Sequence, residues 1–435
     1  MSTPREFVDL ERPGKAARAF RTDSTVSEFR IPAVDHGLID RYESIDRKSL
    51  RAYRLERLRQ QLRAHDYAGM LLADPINIRY ATDTADMSVW VMHSPSRYVF
   101  IATDGPMILF EFAATKHNCQ GIETIDEVRT TVPWIYFLAG PRVNEKAELW
   151  AKEIEDVVRQ HGRGNTRLAV DRCDPWGAEL LTKRGLQLFD AQPLTEKARA
   201  IKGAQEIEQH RVSMAVADLG IARMREVLAP GITESQLWGV FTGNNIAHGG
   251  QWEECQLLTS GPRTNPWFQE ASNRVIQAGD IVGFDTDMVG PGGALSDVSR
   301  TFICPGKAAT GNQRDLIGFA YDQIKHNVSL LKPGISFREF AERSWAVPEK
   351  YIHNRYMMMV HGCGIVDEAP TIAYAVDFDS WGYDGVVEEN MVLSVESFIG
   401  ERGGKEGVKL EEQVLITANG AEILSSCPLV TELGS

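Results

Sequence analysis

The chain has 435 residues and carries 47 Lys and Arg against 60 Asp and Glu, a formal net charge of −13. Its length is about three times that of a typical domain, so two or three domains, or one large enzyme fold with an accessory domain, are expected. The acidic balance argues against a nucleic-acid or anionic-membrane partner, both of which need basic patches, and 43% apolar with 25% charged residues excludes the disordered class.

Residues 1–45 are polar, mixed in charge and weakly periodic, and read as an N-terminal arm. The start, MSTPREFVDLERPGKAARAF, lacks the apolar core of a secretory signal, and no stretch approaches the roughly 20 apolar residues of a spanning helix, so a cytoplasmic protein is expected. Residues 46–200 form a first domain: a helix over Ser49–Ala68 that spaces Leu50, Tyr53, Leu55, Leu58 and Leu62 at helical intervals, the short buried strands AGMLLAD and RYVFIAT, a helix over Asn144–His161, and the strand RLAVD. Residues 201–435 form the second. It opens with a long amphipathic helix and a further helix whose Thr233 and Gln236 stand at capping-box spacing. The strand-like runs QLLTSG, DIVGFDTDMV, DVSRTFI, MVLSVESFI and VKLEEQVLIT follow, separated by helices, which gives an α+β or α/β catalytic domain. The six cysteines are scattered without a CxxC pair and read as reduced thiols, Cys363 as a filler near a ligand.

The chemistry concentrates in GDIVGFDTDMVGPGGALSDVSRTF. Alternation along a strand puts Asp285 and Asp287 on one face, and the GPGG turn signal folds the chain back to place Asp297 beside them. Three like charges on an apolar sheet raise each other's pKa unless a cation sits among them; a solvated edge strand is the alternative reading of these residues alone. Further along, His361 ends the apolar run MMMV, and Glu396 interrupts the apolar strand MVLSVESFI at a position expected to be buried. In VKLEEQVLIT alternation separates Glu411 and Glu412 but does not choose between them. Oxygen-rich ligands with one nitrogen and no sulfur suit two bridged divalent ions about 3.5–4 Å apart, with manganese, iron, cobalt or zinc all compatible.

From about Asp46 onward the motifs DPINIRYAT, IKGAQEIEQHR, SGP, FDTD, DVSRTF, HGCG, DEAP, VES and KLEEQVLIT resemble the creatinase, prolidase and methionine aminopeptidase superfamily. The resemblance implies a creatinase-type α/β N-terminal domain followed by a pita-bread catalytic domain. It also implies metal ligands at Asp285, Asp297, His361, Glu396 and Glu411, with Asp287 as an extra carboxylate. Two positions depart from the peptidase pattern: Asp367 stands where a second histidine precedes the Glu of an HExP motif, and Trp267 stands at or near the histidine that follows SGP. An anion and an aromatic face both favour a cationic substrate. With Tyr356 five residues before His361, the pattern resembles the DddP-type dimethylsulfoniopropionate lyases. That resemblance implies a small zwitterionic substrate, two divalent ions with iron foremost and zinc or manganese as alternatives, Asp287 in the ligand set, Asp367 as base with Tyr356 assisting, and a homodimer. Among the aromatic residues of the outer wall, Trp381 is expected beside Trp267 at the substrate. The competing expectation is a metal-dependent Xaa-Pro peptidase or an amidohydrolase, and the loss of both histidines weighs against it.

Overall fold

The computed structural model describes residues 33–85 and 87–430; residues 1–32 of the expected arm lie outside the described residues. The remainder of that arm is not irregular. Asp35 caps a helix over His36–Glu43 by accepting from the Gly37 N–H, and Arg41 pairs with Glu208 on the helix Ala204–Val227, which fixes the lead-in against the second half of the chain.

The helix Arg47–Ala64 begins at Asp46, whose carboxylate accepts from the backbone N–H groups of Lys48 and Ser49, and it buries Leu50, Leu55, Leu58 and Leu62 as their spacing requires. The strands that follow are β1 (Gly69–Leu72), β2 (Tyr98–Ala102), β3 (Met107–Glu111), β4 (Glu127–Thr130), β5 (Arg167–Val170) and β6 (Gln187–Asp190), forming one sheet in the order β4-β3-β2-β1-β5-β6. β1 to β3 are buried throughout because both faces are covered, which is why they read as apolar runs rather than as alternating patterns. The helix Val143–His161 covers one face with Ala147, Trp150, Ala151, Ile154 and Val158; the helix Arg47–Ala64 covers the other.

The helix Gln192–Ala200 leads to the long helix Ala204–Val227 and then to Glu234–Ala247, which carries the expected capping box between Thr233 and Gln236. The second half contains β7 (Trp252–Glu253), β8 (Leu258–Ser260), β9 (Ile281–Asp285), β10 (Met288–Val289), β11 (Leu295–Ser296) and β12 (Ser299–Ile303), arranged as β11-β10-β7 and β12-β9-β8. β13 (Val360–Cys363), β14 (Asp367–Ile372), β15 (Val392–Gly400), β16 (Gly407–Thr417) and β17 (Gly420–Ile423) form a sheet in the order β14-β13-β15-β16-β17. Arg300 of β12 ties the sheets together: it is fully buried, donates to the Glu411 carbonyl at 2.7 Å and pairs with the Glu412 carboxylate at 3.2 Å. The helix Gly311–Leu330 packs its apolar stripe on β15 and β16 and closes the largest apolar cluster. No helix among the described residues is long and apolar enough to cross a membrane.

Candidate metal centre

Strand pairing brings the acidic residues together. Asp285, the last residue of β9, lies opposite Ser299 of β12. Between them the chain turns at Pro291–Gly293, where Gly292 and Gly293 take φ of 77° and 83°, values that a side chain rarely tolerates. The return places Asp297 between β11 and β12. Glu396 of β15 and Glu411 of β16 are direct partners, and His361 of β13 lies opposite Ser394, two residues from Glu396 on the same strand. Glu411 is thereby separated from Glu412, which points to the opposite face of β16 and meets Arg300.

His361 Nε2 stands 3.4 Å from Asp297 Oδ2, 3.4 Å from Glu396 Oε1 and 3.7 Å from Glu411 Oε1. Its other nitrogen, Nδ1, faces Asp367 Oδ1 at 3.3 Å and the Gly362 carbonyl at 3.2 Å. A histidine that turns one nitrogen to a group of carboxylates and the other to a carboxylate and a carbonyl has the surroundings of a metal ligand. Two overlapping sets have ligand atoms within 4.8 Å of one another, His361 with Glu396 and Glu411, and Asp285 with Asp297 and Glu411. Glu411 belongs to both sets.

The electrostatics call for cations. Burial, and after it the charge of Glu411, pushes the Asp285 carboxyl up to about 8, and the same two causes hold Asp297 well above the usual carboxylate range. Glu396 is raised for the same reasons. Asp297 Oδ1 and Glu411 Oε1 are buried with no hydrogen-bond donor among the described residues. Lone pairs buried without a partner are costly, and divalent ions satisfy several at once, so these residues fit the metals that the sequence implies.

Asp287 departs from the expected geometry. β9 ends at Asp285, and the backbone passes through φ 34° at Asp287 as it enters β10, which belongs to a different sheet. The strand ends two residues before Asp287, so alternation alone does not set the direction of its side chain. Its carboxylate groups with Glu254 and Asp367 and contacts the Cys255 thiol. It edges the cluster on the side of Asp367.

Asp367 begins β14, its backbone N–H donating to Glu254 at 2.9 Å, and its side chain is 50% exposed. Burial, with the charge of Glu411 behind it, raises its carboxyl against the opposing pull of His361. Tyr356 stacks on Phe268 with ring centroids 5.2 Å apart; burial and then the charge of Glu396 push its phenol far up, so the hydroxyl stays protonated and can donate. Trp267 is 7% exposed, packed with Leu257 and Phe398, and its ring already has a cation, Lys409 Nζ, 5.9 Å from its centroid. Trp381 ends a short helix, Phe378–Trp381, and is 40% exposed. Cys363 adjoins the cluster; burial raises its thiol, and it contacts Ser394 at 3.2 Å, the environment of a filler.

Three neighbours of the cluster were not among the sequence candidates. Lys409 follows from the alternation that sets Glu411, since it lies two residues earlier on β16. Ser299 bridges Asp285 Oδ1 at 2.8 Å and Glu411 Oε2 at 2.9 Å. Glu254, whose carboxyl burial pushes up to about 8, sits in a stretch with no pattern to mark it.

Residues 208–418 match the model of metallopeptidase family M24, and residues 54–201 match the creatinase/prolidase N-terminal domain. The chain is 38% identical over 388 residues to the dimethylsulfoniopropionate lyase DddP of Roseovarius nubinhibens, covering 88% of this chain and 87% of that protein. It is 35% identical, with the same coverage, to the protein of the same name from Roseobacter denitrificans. Among solved structures, an Xaa-Pro dipeptidase from Bacillus anthracis superposes with a TM-score of 0.68 at 20% identity, covering 87% of this chain and 99% of that one, which is a likeness of fold. The chain thus belongs to the creatinase/prolidase superfamily with its pita-bread, M24-type catalytic domain, and within it to the family of the DddP dimethylsulfoniopropionate lyases.

Proposed function

We propose that this chain is a metal-dependent lyase that breaks dimethylsulfoniopropionate into dimethyl sulfide and acrylate by β-elimination. The observation that carries the reading beyond the family likeness is the exposure of Asp367. The proposed ligands Asp285, Asp287, Asp297, His361, Glu396 and Glu411 are all buried, whereas Asp367 is half exposed beside them and free to meet a substrate arriving from solvent. In this reading those six residues hold two divalent ions, iron foremost by resemblance, with zinc or manganese as alternatives. When bound, the ions supply positive charge that holds a carboxylate and acidifies the carbon next to it.

Asp367 takes the proton from the carbon adjacent to the substrate carboxylate. The electron pair of that C–H bond becomes the second bond of acrylate, and the C–S bond breaks with its pair leaving on sulfur as neutral dimethyl sulfide. Asp367 stands at the edge of the cluster, 3.3 Å from His361 Nδ1, where a general base can reach a substrate that enters from solvent. Tyr356, kept protonated, donates toward the reacting region, and the faces of Trp267 and Trp381 are assigned to the sulfonium. A homodimer and a division into an arm (1–45), an N-terminal domain (46–200) and a catalytic domain (201–435) belong to the same reading; the matched ranges 54–201 and 208–418 support the division.

The test is Asp367→Asn, assayed with dimethylsulfoniopropionate and with an Xaa-Pro dipeptide. The amide oxygen can still accept from His361 Nδ1, so fold and metal content are expected to persist, while loss of a general base costs on the order of 10² to 10⁴ in kcat. A hydrolase that uses Asp367 only to position substrate would instead show a raised KM and much of its kcat. Metal-loaded variant protein releasing dimethyl sulfide near the parent rate removes Asp367 from the mechanism.

A further inference from the structure

Lys409 has a setting that the elimination chemistry does not account for. It lies on β16 two residues before Glu411, on the same face, and is fully buried. Its Nζ stands 2.6 Å from Glu396 Oε2, 2.9 Å from Asp285 Oδ2 and 3.2 Å from Glu411 Oε2, and donates to Ser299 Oγ at 2.7 Å. The Tyr356 ring covers it, 4.5 Å from Nζ to centroid, with Trp267 behind.

The two oxygens of each carboxylate are divided between different partners. Glu396 and Glu411 give Oε2 to the ammonium and turn Oε1 toward His361 Nε2, at 3.4 and 3.7 Å; Asp285 gives Oδ2 to the ammonium and Oδ1 to Ser299 at 2.8 Å. A carboxylate on a strand can rotate about its terminal torsion, and a fixed cation on one oxygen removes that freedom. Charge points the same way. Five carboxylates in the proposed ligand set carry five negative charges, two divalent ions supply four positive ones, and the Lys409 ammonium supplies the fifth.

We infer that Lys409 is a positioning residue of the metal centre: it clamps the outer oxygens of Asp285, Glu396 and Glu411 and balances the charge of the extra carboxylate, Asp287, so that the inner oxygens take the ions in one arrangement. The inference rests on the proposed reading of these residues as ligands, and not on the identity of the substrate.

The experiment uses the full chain with Lys409→Met, which keeps length and removes charge, and Lys409→Arg, which keeps charge. Affinity for Mn²⁺ and for Zn²⁺ is measured by chelator competition, and kcat and KM for dimethylsulfoniopropionate at saturating metal. Groups that orient metal ligands typically change affinity or activity by about 10- to 100-fold when removed. Lys409→Met is expected to lose that much metal affinity and to lower kcat more than it raises KM, with partial rescue in Lys409→Arg. Folded Lys409→Met protein with parental metal affinity and kcat overturns the inference. Should Lys409→Met fail to fold, Lys409→Gln, which also removes the charge, is measured in the same way, and parental metal affinity with parental kcat in that variant overturns the clamp equally. A parent protein that binds metal but releases no dimethyl sulfide, with variants that still lose affinity, refutes the substrate reading and leaves the clamp standing.

Discussion

Two regions of this molecule bury charge, and they do so in opposite ways. At the junction between the halves of the chain, Arg54 pairs with Glu206 at 2.7 Å, and Arg199 and Lys202 both pair with Glu368, so each buried carboxylate has its cation. Burial would push the Glu368 carboxyl up, but Lys202 and Arg199 more than offset it and hold it below the usual range. At the cluster of Asp285, Asp297, Glu396 and Glu411 the carboxylates outnumber the cations that the described residues provide, several carboxyls are pushed up, and buried oxygens have no donor among those residues. The junction is a self-sufficient joint. The cluster lacks matching cations among the described residues, and that difference supports the proposed metal site.

The contrast predicts opposite consequences for removing one acid from each region. Asp297→Ala should produce the largest loss, taking most of the bound metal and the activity with it, because the remaining carboxylates surround an incomplete cation site. Elemental analysis finding metal-free but fully active protein contradicts this. Glu368→Gln should act on the fold. It leaves Lys202 buried without its anion and leaves Arg199 with Glu196 alone, which costs about 3–5 kcal/mol, read as a lowered urea midpoint at unchanged metal content. Metal loss with unaltered stability would erase the distinction between the two regions.

The smallest expected effect sharpens the edge of the site. Trp267→His should raise KM for a sulfonium or ammonium substrate by an amount worth about 0.5–2 kcal/mol while leaving kcat close to the parent value. Because Trp267 also packs on Phe398 and faces Lys409, thermal unfolding should be followed in parallel. Unchanged kinetics with lowered stability would make the ring a wall of the metal site and not a substrate contact.

Much of this was legible in the sequence because the relevant regularities are short-range. Period-two alternation places Glu411 and Glu412 on opposite faces of β16, and the GPGG turn returns Asp297 to Asp285 as the sequence predicts. The same alternation extended back by two residues would have found Lys409. The place of Asp287 does not follow from alternation alone, because nothing local announces that β9 stops at Asp285 and that the chain changes sheets there. Arg199 and Lys202 meet Glu368 across more than 160 residues, a contact that periodicity does not encode. The helix at His36–Glu43 was hidden by its weak apolar pattern, although its Asp35 cap is visible once the helix is known.

The measurement that bears most directly on the whole account is headspace detection of dimethyl sulfide from purified, metal-loaded protein given dimethylsulfoniopropionate, with acrylate quantified in the same vial and an Xaa-Pro dipeptide in a parallel one. The account predicts dimethyl sulfide and acrylate in equal amounts, loss of both when a chelator strips the metal, and no appreciable proline release from the dipeptide. Proline release without dimethyl sulfide, from the same metal-loaded preparation, would contradict it.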